Sequence, residues 1–317
     1  MYLFGPVPSR RLGRSLGVDI IPLKRCSFNC IYCQLGPTTE LTSERVPYGS
    51  KEEFVQELVH WLENGGTANY ITFAGSGEPT LNPLLGSMIE AAKKLTSIPI
   101  AVLTNGGLFW REDVRRDIIA ADFVQPTLVS AFERTFLKIH RPARTITLEK
   151  HIEGLRIFRE EKKSGIYALE VMIVKGINDT PEEIDALREL IYAIKPDFVD
   201  LNTPVRPPSS KDIQPVDFDT LCEIGRKLSY PHRVLTPHAK GFLPLKVTDS
   251  KLVEILSRHP DSLEGISIIL GENIESVRSR LDKLVEERLL SKVEYSGRIY
   301  YKAAERSKSD RETGIRD

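Results

Sequence analysis

The sequence predicts an α/β chain: a partial (β/α)6 barrel of the TIM type, made of parallel strands, with a small winged-helix-like domain at its C-terminal end. Two observations carry this. First, six short runs rich in Ile, Val, Leu and aromatics, at 16–21, 70–73, 98–103, 123–128, 168–174 and 198–201, alternate with stretches of helical periodicity. Second, the alternation stops after residue 201, and a new pattern of three helices and a hairpin begins near 248.

Strand–helix repeats imply a parallel sheet with right-handed crossovers. A closed eight-unit barrel needs about 250 residues. The repeats here end near 201, so an open six-stranded barrel is favoured, with a doubly wound sheet as its rival. Either places reactive groups at the carboxyl ends of the strands. Helix starts are readable. Ser50 precedes a helix over 51–64, with Glu53 placed for a capping box and Gly65–Gly66 as its stop. Thr180 caps a helix with Pro181 first and Glu183 third, running to about 194. Further helices fall near 84–95, 112–120, 148–160 and 218–228.

The expected domains follow. Residues 1–205 form the partial barrel. Residues 206–247, broken by Pro207, Pro208 and Pro215, form a Pro-rich segment and a helix that cover it. Residues 248–303 form the winged-helix-like domain: helices at 250–258, 262–270 and 274–288, then strands at 290–295 and 298–302 turning on Ser296–Gly297. Residues 304–317 are polar and charged and are expected to be a disordered tail.

The 317 residues carry 44 Lys+Arg and 44 Asp+Glu, so a strongly basic nucleic-acid binder is excluded as an overall description. No apolar run is long enough for a bilayer, and the start has no signal-peptide pattern; a cytoplasmic protein away from membranes is expected. Three of the four cysteines lie within eight residues, which is no disulfide framework.

Those three read Cys26-Ser-Phe-Asn-Cys30-Ile-Tyr-Cys33, directly after the first strand. Three thiolates on one tight loop can each hold one iron of a cubane, leaving the fourth iron open for a ligand. The competing reading is zinc, which wants a fourth Cys or His; the next His is His60, on a predicted helix. The second strand ends in Ala74-Gly75-Ser76-Gly77-Glu78-Pro79-Thr80, where glycine admits close backbone approach and Glu78 can complement an ammonium group. A dinucleotide fingerprint fits poorly, because Pro79 and Thr80 stand where a third glycine belongs. The third strand ends at Asn105-Gly106 and the fourth leads to Ser130. Both also read as turn chemistry.

In this order, over about residues 5–205, these motifs resemble the radical S-adenosylmethionine (SAM) superfamily. The resemblance implies a [4Fe–4S] cluster on Cys26, Cys30 and Cys33. It implies SAM held by Gly77 and Glu78, in a Gly-Gly-Glu motif with Ser76 replacing the first glycine. Tyr32 would lie against the adenine, and Asn105 and Ser130 are further candidate SAM contacts. Reductive cleavage of SAM would then give a 5′-deoxyadenosyl radical that takes hydrogen from a substrate, an oxidoreductase-type activity fed by flavodoxin or ferredoxin. The start Phe4 to Gly17, with Asn202-Thr203-Pro204-Val205-Arg206-Pro207-Pro208, looks like a subgroup placed with wyosine-type tRNA-modifying enzymes.

Three functions therefore stand: a radical SAM enzyme acting on a small molecule or protein, the same chemistry on tRNA, and a non-enzymatic iron–sulfur regulator that binds DNA. Residues 249–302 hold nine Lys/Arg against ten Asp/Glu, a poor match to a phosphate backbone, so the C-terminal domain suits a peptide or protein partner better than RNA. Arg10, Arg11, Arg14, His140, Arg141 and Arg206 are candidate substrate contacts. Cys222, alone on a predicted helix, reads first as a core residue and second as a hydrogen-atom donor.

Overall fold

The computed structural model describes residues 1–235, 244 and 247–304. Most of the expected tail lies outside these. The chain divides into two compact units, Met1–Phe242 and Leu243–Asp317.

In the first unit, strands β1 (Leu3–Ser9), β2 (Gly13–Val18), β3 (Arg25–Cys26), β4 (Glu40–Leu41), β5 (Tyr70–Phe73), β6 (Ile100–Leu103), β7 (Phe123–Gln125), β8 (Thr127–Leu128), β9 (Ile166–Met172), β10 (Phe198–Asn202) and β11 (His232–Val234) are joined by helices α1 (Lys51–Glu63), α2 (Leu85–Leu95), α3 (Glu112–Ile118), α4 (Glu133–His140), α5 (Leu148–Glu161), α6 (Pro181–Ile194) and α7 (Phe218–Leu228). The main sheet runs β1-β2-β5-β6-β7-β9-β10-β11, with β8 also on β9. Every pairing along it is parallel except β1 with β2.

The sheet is wider than the six expected strands, at both edges. β1 carries Pro6 and Pro8, which lack ladder donors and are tolerated because β1 is an edge strand. At the far edge β11 follows α7, so 218–234 continues the strand–helix series beyond the Pro-rich segment. Pro126 splits the fourth expected strand into β7 and β8.

Side chains alternate across each strand. The outward set, including Ile71, Phe73, Ile100, Val102, Val124, Leu169 and Val171, packs on the apolar faces of the helices in one large core. The inward set begins with a small separate cluster of Leu12, Ala101, Phe123 and Ala168, flanked by Tyr70, Leu103, Ile166 and Phe198. The sheet curls around this interior. At the tip of the β1–β2 hairpin, Arg11 bonds Glu170 on β9, and Arg10 Nη1 bonds Asn202 Oδ1 on β10 at 3.1 Å.

Both capping-box signals are half used. The Ser50 hydroxyl accepts from the backbone N–H of Glu52 and Glu53, but the Glu53 carboxylate takes the Tyr2 hydroxyl at 2.8 Å. Thr180 caps α6 through Glu183 N–H, while the Glu183 carboxylate turns to Ser130.

The second unit holds α8 (Asp249–Arg258), β12 (Asp261–Ser262), α9 (Leu263–Leu270), α10 (Ile274–Glu286), β13 (Leu290–Tyr295) and β14 (Arg298–Ala303). Its sheet order is β12-β14-β13, antiparallel throughout. Ser296 and Gly297 both take positive φ, 50° and 72°, the two-residue turn that matches strand twist. Leu252, Leu256, Ile266, Val277, Leu281 and Leu284 make a core of its own. The short strand β12 is absent from the sequence expectation, because two residues carry no periodicity.

Candidate metal and cofactor site

The loop after β2 carries all three clustered cysteines, and several elements clamp it. Cys26 lies in the short β3–β4 pairing. Asn29 N–H donates to the carbonyls of His140 and Arg141, and Ile31 N–H to that of Ile139, at the C-terminal end of α4. From the other side, the Ser209 hydroxyl donates to the carbonyls of Cys30 and Ile31 at 2.8 and 2.9 Å. Phe28 anchors the loop from beneath, packed among Phe136, His140 and His151. The Pro-rich segment thus touches the cysteine loop itself.

Cys26, Cys30 and Cys33 are free, half-buried thiols. Burial pushes the Cys26 thiol up to about 12, and the Glu78 carboxylate adds to the rise. Burial also raises Cys30, with Cys26 and Cys33 adding to it. Such groups stay protonated and inert at neutral pH unless a metal displaces the proton. Donors already face the sulfurs: Lys24 Nζ lies 3.3 Å from Cys33 Sγ, and Asn105 Nδ2 lies 3.6 Å from Cys26 Sγ. Lys24 is buried in a left-handed conformation, φ 63°, fixed by its N–H bonding to the Ser76 carbonyl at 2.8 Å. Among the described residues, no three His, Cys, Asp or Glu side chains converge on a single-ion site. Three spaced thiols, joined by no fourth His or Cys in such a group among the described residues, fit a cubane, one sulfur per iron, better than tetrahedral zinc.

Glu78 sits beside this loop at the end of β5, and burial raises its carboxyl. Oε1 accepts from Thr80 N–H at 3.1 Å and from the hydroxyls of Thr80 and Thr104, both at 2.6 Å. Oε2 accepts one bond, from Asn105 N–H at 2.7 Å. The carboxylate therefore staples the β5 and β6 loops together, and Oε2 keeps acceptor capacity for an incoming ammonium. Gly77 is required by close approach: a Cβ there would lie 1.9 Å from the Arg25 carbonyl of the cysteine loop. Ser76, which stands where the family motif has its first glycine, donates its hydroxyl to Asp19 Oδ2 at 2.5 Å and ties β5 to the end of β2.

Asn105 spans the same region. Its Nδ2 also donates to the Ser27 hydroxyl at 2.9 Å, and its Oδ1 accepts from Gly107 N–H at 2.8 Å. Tyr32 is half-buried, with its hydroxyl 3.2 Å from His140 Nε2. The structure thus brings Cys26, Cys30, Cys33, Tyr32, Gly77, Glu78 and Asn105 to one end of the sheet. Ser130 is placed differently. It is fully buried, donates its proton to Glu183 at 2.6 Å, and accepts from Phe132 N–H. As placed, it presents no free donor to the sheet end. Sequence reading also passed over Thr104 and Ser27, and the signal was slight: small polar residues in loops.

His140 packs beside Tyr32, with ring centroids 6.0 Å apart. Burial drives its imidazole well below the usual range, and His151 falls to about 4 for the same reason. Both are neutral when folded. Their stabilisation is complete above the ordinary value of 6.5 and is lost as pH falls through it, because the unfolded chain then binds protons the folded chain refuses. His140→Phe should therefore flatten the acid limb of stability against pH while freeing the Tyr32 ring. Chemical denaturation between pH 4 and 8 checks it, and an unchanged limb contradicts it.

The radical SAM superfamily profile matches residues 20–191. The chain belongs to this superfamily. It is 36% identical over 310 residues to a UPF0026 protein of Methanocaldococcus jannaschii, covering 94% of each. It is 39% identical over 294 residues to a Brachyspira hyodysenteriae protein named GTPase Obg, covering 90% of this chain but only 42% of that one. The chain thus spans less than half the length of that relative. It is 25% identical to the dual-specificity RNA methyltransferase RlmN of Caulobacter vibrioides, over 83% of this chain and 68% of that one. Among solved structures, a radical SAM methyltransferase from Sphaerobacter thermophilus matches with a TM-score of 0.50 at 17% identity, over 69% of this chain and 65% of that one. That last likeness concerns the fold.

Proposed function

We propose that the protein holds one [4Fe–4S] cluster on Cys26, Cys30 and Cys33 and uses it to cleave SAM reductively, with the resulting radical taking hydrogen from a substrate in the barrel. The observation that carries this is three free thiols on one clamped loop, with Glu78 and Asn105 stapled beside them. When bound, the cluster and SAM supply the chemistry: one electron from an external donor such as flavodoxin or ferredoxin breaks the sulfonium bond to give methionine and a 5′-deoxyadenosyl radical.

The chain's residues do the rest. The three cysteines take up iron and give up their protons, and Lys24 and Asn105 direct donors at the sulfurs. Glu78 Oε2 faces the ammonium of SAM, and the glycine backbone at Gly77 lets the β5 loop lie against the cysteine loop. Tyr32, steadied by His140, offers its ring to the adenine. Residues 204–216, bonded to the cysteine loop through Ser209 and Ser210, screen it from water. Cytoplasmic reducing conditions would keep the thiols available.

The second unit has the order helix, short strand, helix, helix, hairpin, and we read it as winged-helix-like. Its balance of nine basic and ten acidic side chains over 249–302 favours a peptide or protein partner. An RNA substrate is the second reading, supported by the similarity to an RNA methyltransferase. A salt-dependent gel shift with tRNA would favour it.

Anaerobic reconstitution, reduction with dithionite and assay of 5′-deoxyadenosine tests the main reading. Stoichiometric product in wild type and in Cys222→Ser is expected. No product from iron-loaded wild type overturns it.

A further inference from the structure

We propose that the exposed face of α4, beside the cysteine loop, is where a small acidic electron-carrier protein docks to reduce the cluster. This rests on the reading above, which requires one electron from outside the chain.

The argument begins with periodicity. Arg134, Leu137, Lys138 and Arg141 follow the spacing i, i+3, i+4, i+7, so they share one helix face. All four are exposed, while Phe136, Ile139 and His140 are buried. Phe132, at the start of the helix, and Arg144, just beyond its end, are exposed too. From Phe132 to Thr147, four basic side chains stand against one acid, Glu133, in a chain whose totals of 44 and 44 balance. Among the described residues, none of Arg134, Lys138, Arg141 and Arg144 has a carboxylate within ion-pair distance. Other arginines of this unit do: Arg111, Arg156, Arg159 and Arg188 are each paired. An uncompensated cationic strip raises the local potential and steers an acidic partner toward it. Phe132 and Leu137, 44% and 45% exposed, add apolar contact among the charges.

The position of the strip selects the partner. Residues 139–143 run along the cysteine loop. The Ile139 carbonyl accepts from Ile31 N–H at 3.0 Å, the His140 carbonyl accepts from Asn29 N–H at 2.9 Å, and Ala143 N–H donates to the Ser27 carbonyl at 2.9 Å. Ser27, Asn29 and Ile31 each adjoin a cysteine in sequence. The end of α4 is therefore one hydrogen bond and one residue from Cys26 and Cys30. Electron transfer falls steeply with distance, so a carrier seated here is close to where its electron is used. One electron leaves the carrier, which is oxidised, and enters the cluster, which is reduced; no atom moves and no bond to this chain forms. Exposed Phe132 and Leu137 suit a protein surface better than a phosphate backbone, which is held by charge alone.

Calorimetric titration of the full-length, reconstituted chain with an acidic flavodoxin, at low and high salt, reads the docking. Absorbance bleaching on mixing with photoreduced flavodoxin reads electron delivery. Binding that weakens with salt is expected. A double variant, Arg134→Glu with Lys138→Glu, should weaken it about tenfold or more and slow flavodoxin-driven reduction in proportion. Dithionite needs no docking, so it should drive equal 5′-deoxyadenosine production in this variant and in wild type. Lys94→Glu, an exposed position on α2, should change neither binding nor reduction. Wild-type flavodoxin affinity in the double variant overturns the proposal. So does an equal loss of dithionite-driven and flavodoxin-driven product, or tRNA binding that the double variant loses while its flavodoxin binding stays. Iron content of the same samples separates the two ideas. Iron uptake with flavodoxin binding indifferent to α4 overturns this proposal alone. Flavodoxin binding that depends on α4, in protein that takes up no iron, overturns the cluster reading alone.

Discussion

Serine at Cys26, Cys30 or Cys33 should reduce iron content to background and 5′-deoxyadenosine production at least a thousandfold. The cause is arithmetic. A cubane held by three thiolates has no spare ligand, and the donors around it, Lys24 and Asn105, cannot replace one. A serine hydroxyl is a hard, poorly acidic ligand in a site where burial already holds the Cys26 thiol near 12. The fold should survive, because these thiols are half-buried and the loop is clamped by backbone bonds to Ile139, His140 and Arg141. Circular dichroism and iron analysis on the same preparations check both halves. Unchanged iron content in any one variant would remove that cysteine from the site.

Glu78→Ala should cost about 4 kcal/mol and lower the melting temperature by about 10 °C. Two backbone N–H groups, of Thr80 and Asn105, and two hydroxyls, of Thr80 and Thr104, lose their shared acceptor inside the protein. Each unsatisfied donor costs about 1–3 kcal/mol, and local relaxation recovers part of it. Glu78→Gln separates stability from binding. Its amide oxygen can still serve Thr80 and Thr104, but its NH2 group meets Asn105 N–H and carries no negative charge. It should keep most of the stability and bind SAM about tenfold more weakly. Thermal melts and equilibrium dialysis against SAM read the two effects. Equal SAM affinity in Glu78→Gln and wild type would make Glu78 a staple and nothing more.

Much of the site was legible because its signals are local. Cys26, Cys30 and Cys33 lie on one loop, and Gly77, Glu78 and Asn105 sit where strands end, so the sequence places them together, while their roles toward SAM come from the family resemblance. What stayed hidden depends on distant partners. Glu183 reads as the third residue of a capping box, yet its carboxylate goes to Ser130, 53 positions away, and so fixes Ser130 in the core. Glu78 reads as a ligand contact, yet its carboxylate takes four bonds from its own and the neighbouring loop. β1 was obscured by Pro6 and Pro8, which only an edge position excuses. α4 was missed because eight residues with buried Phe136, Ile139 and His140 give little periodicity. β11 lies beyond five prolines, where a return to the sheet has no local mark. The buried carboxylates Glu170 and Asp200 did leave a trace: one acidic residue inside each of the strands β9 and β10.

The central claim is that the cysteine loop holds a cubane with one iron left to SAM. Mössbauer spectroscopy of anaerobically reconstituted wild-type protein, with iron and sulfide counted on the same sample, tests it most directly. About four irons and four sulfides per chain are predicted, with one iron changing its signature when SAM is added. Stoichiometric zinc, or no uptake of iron and sulfide, would contradict the account.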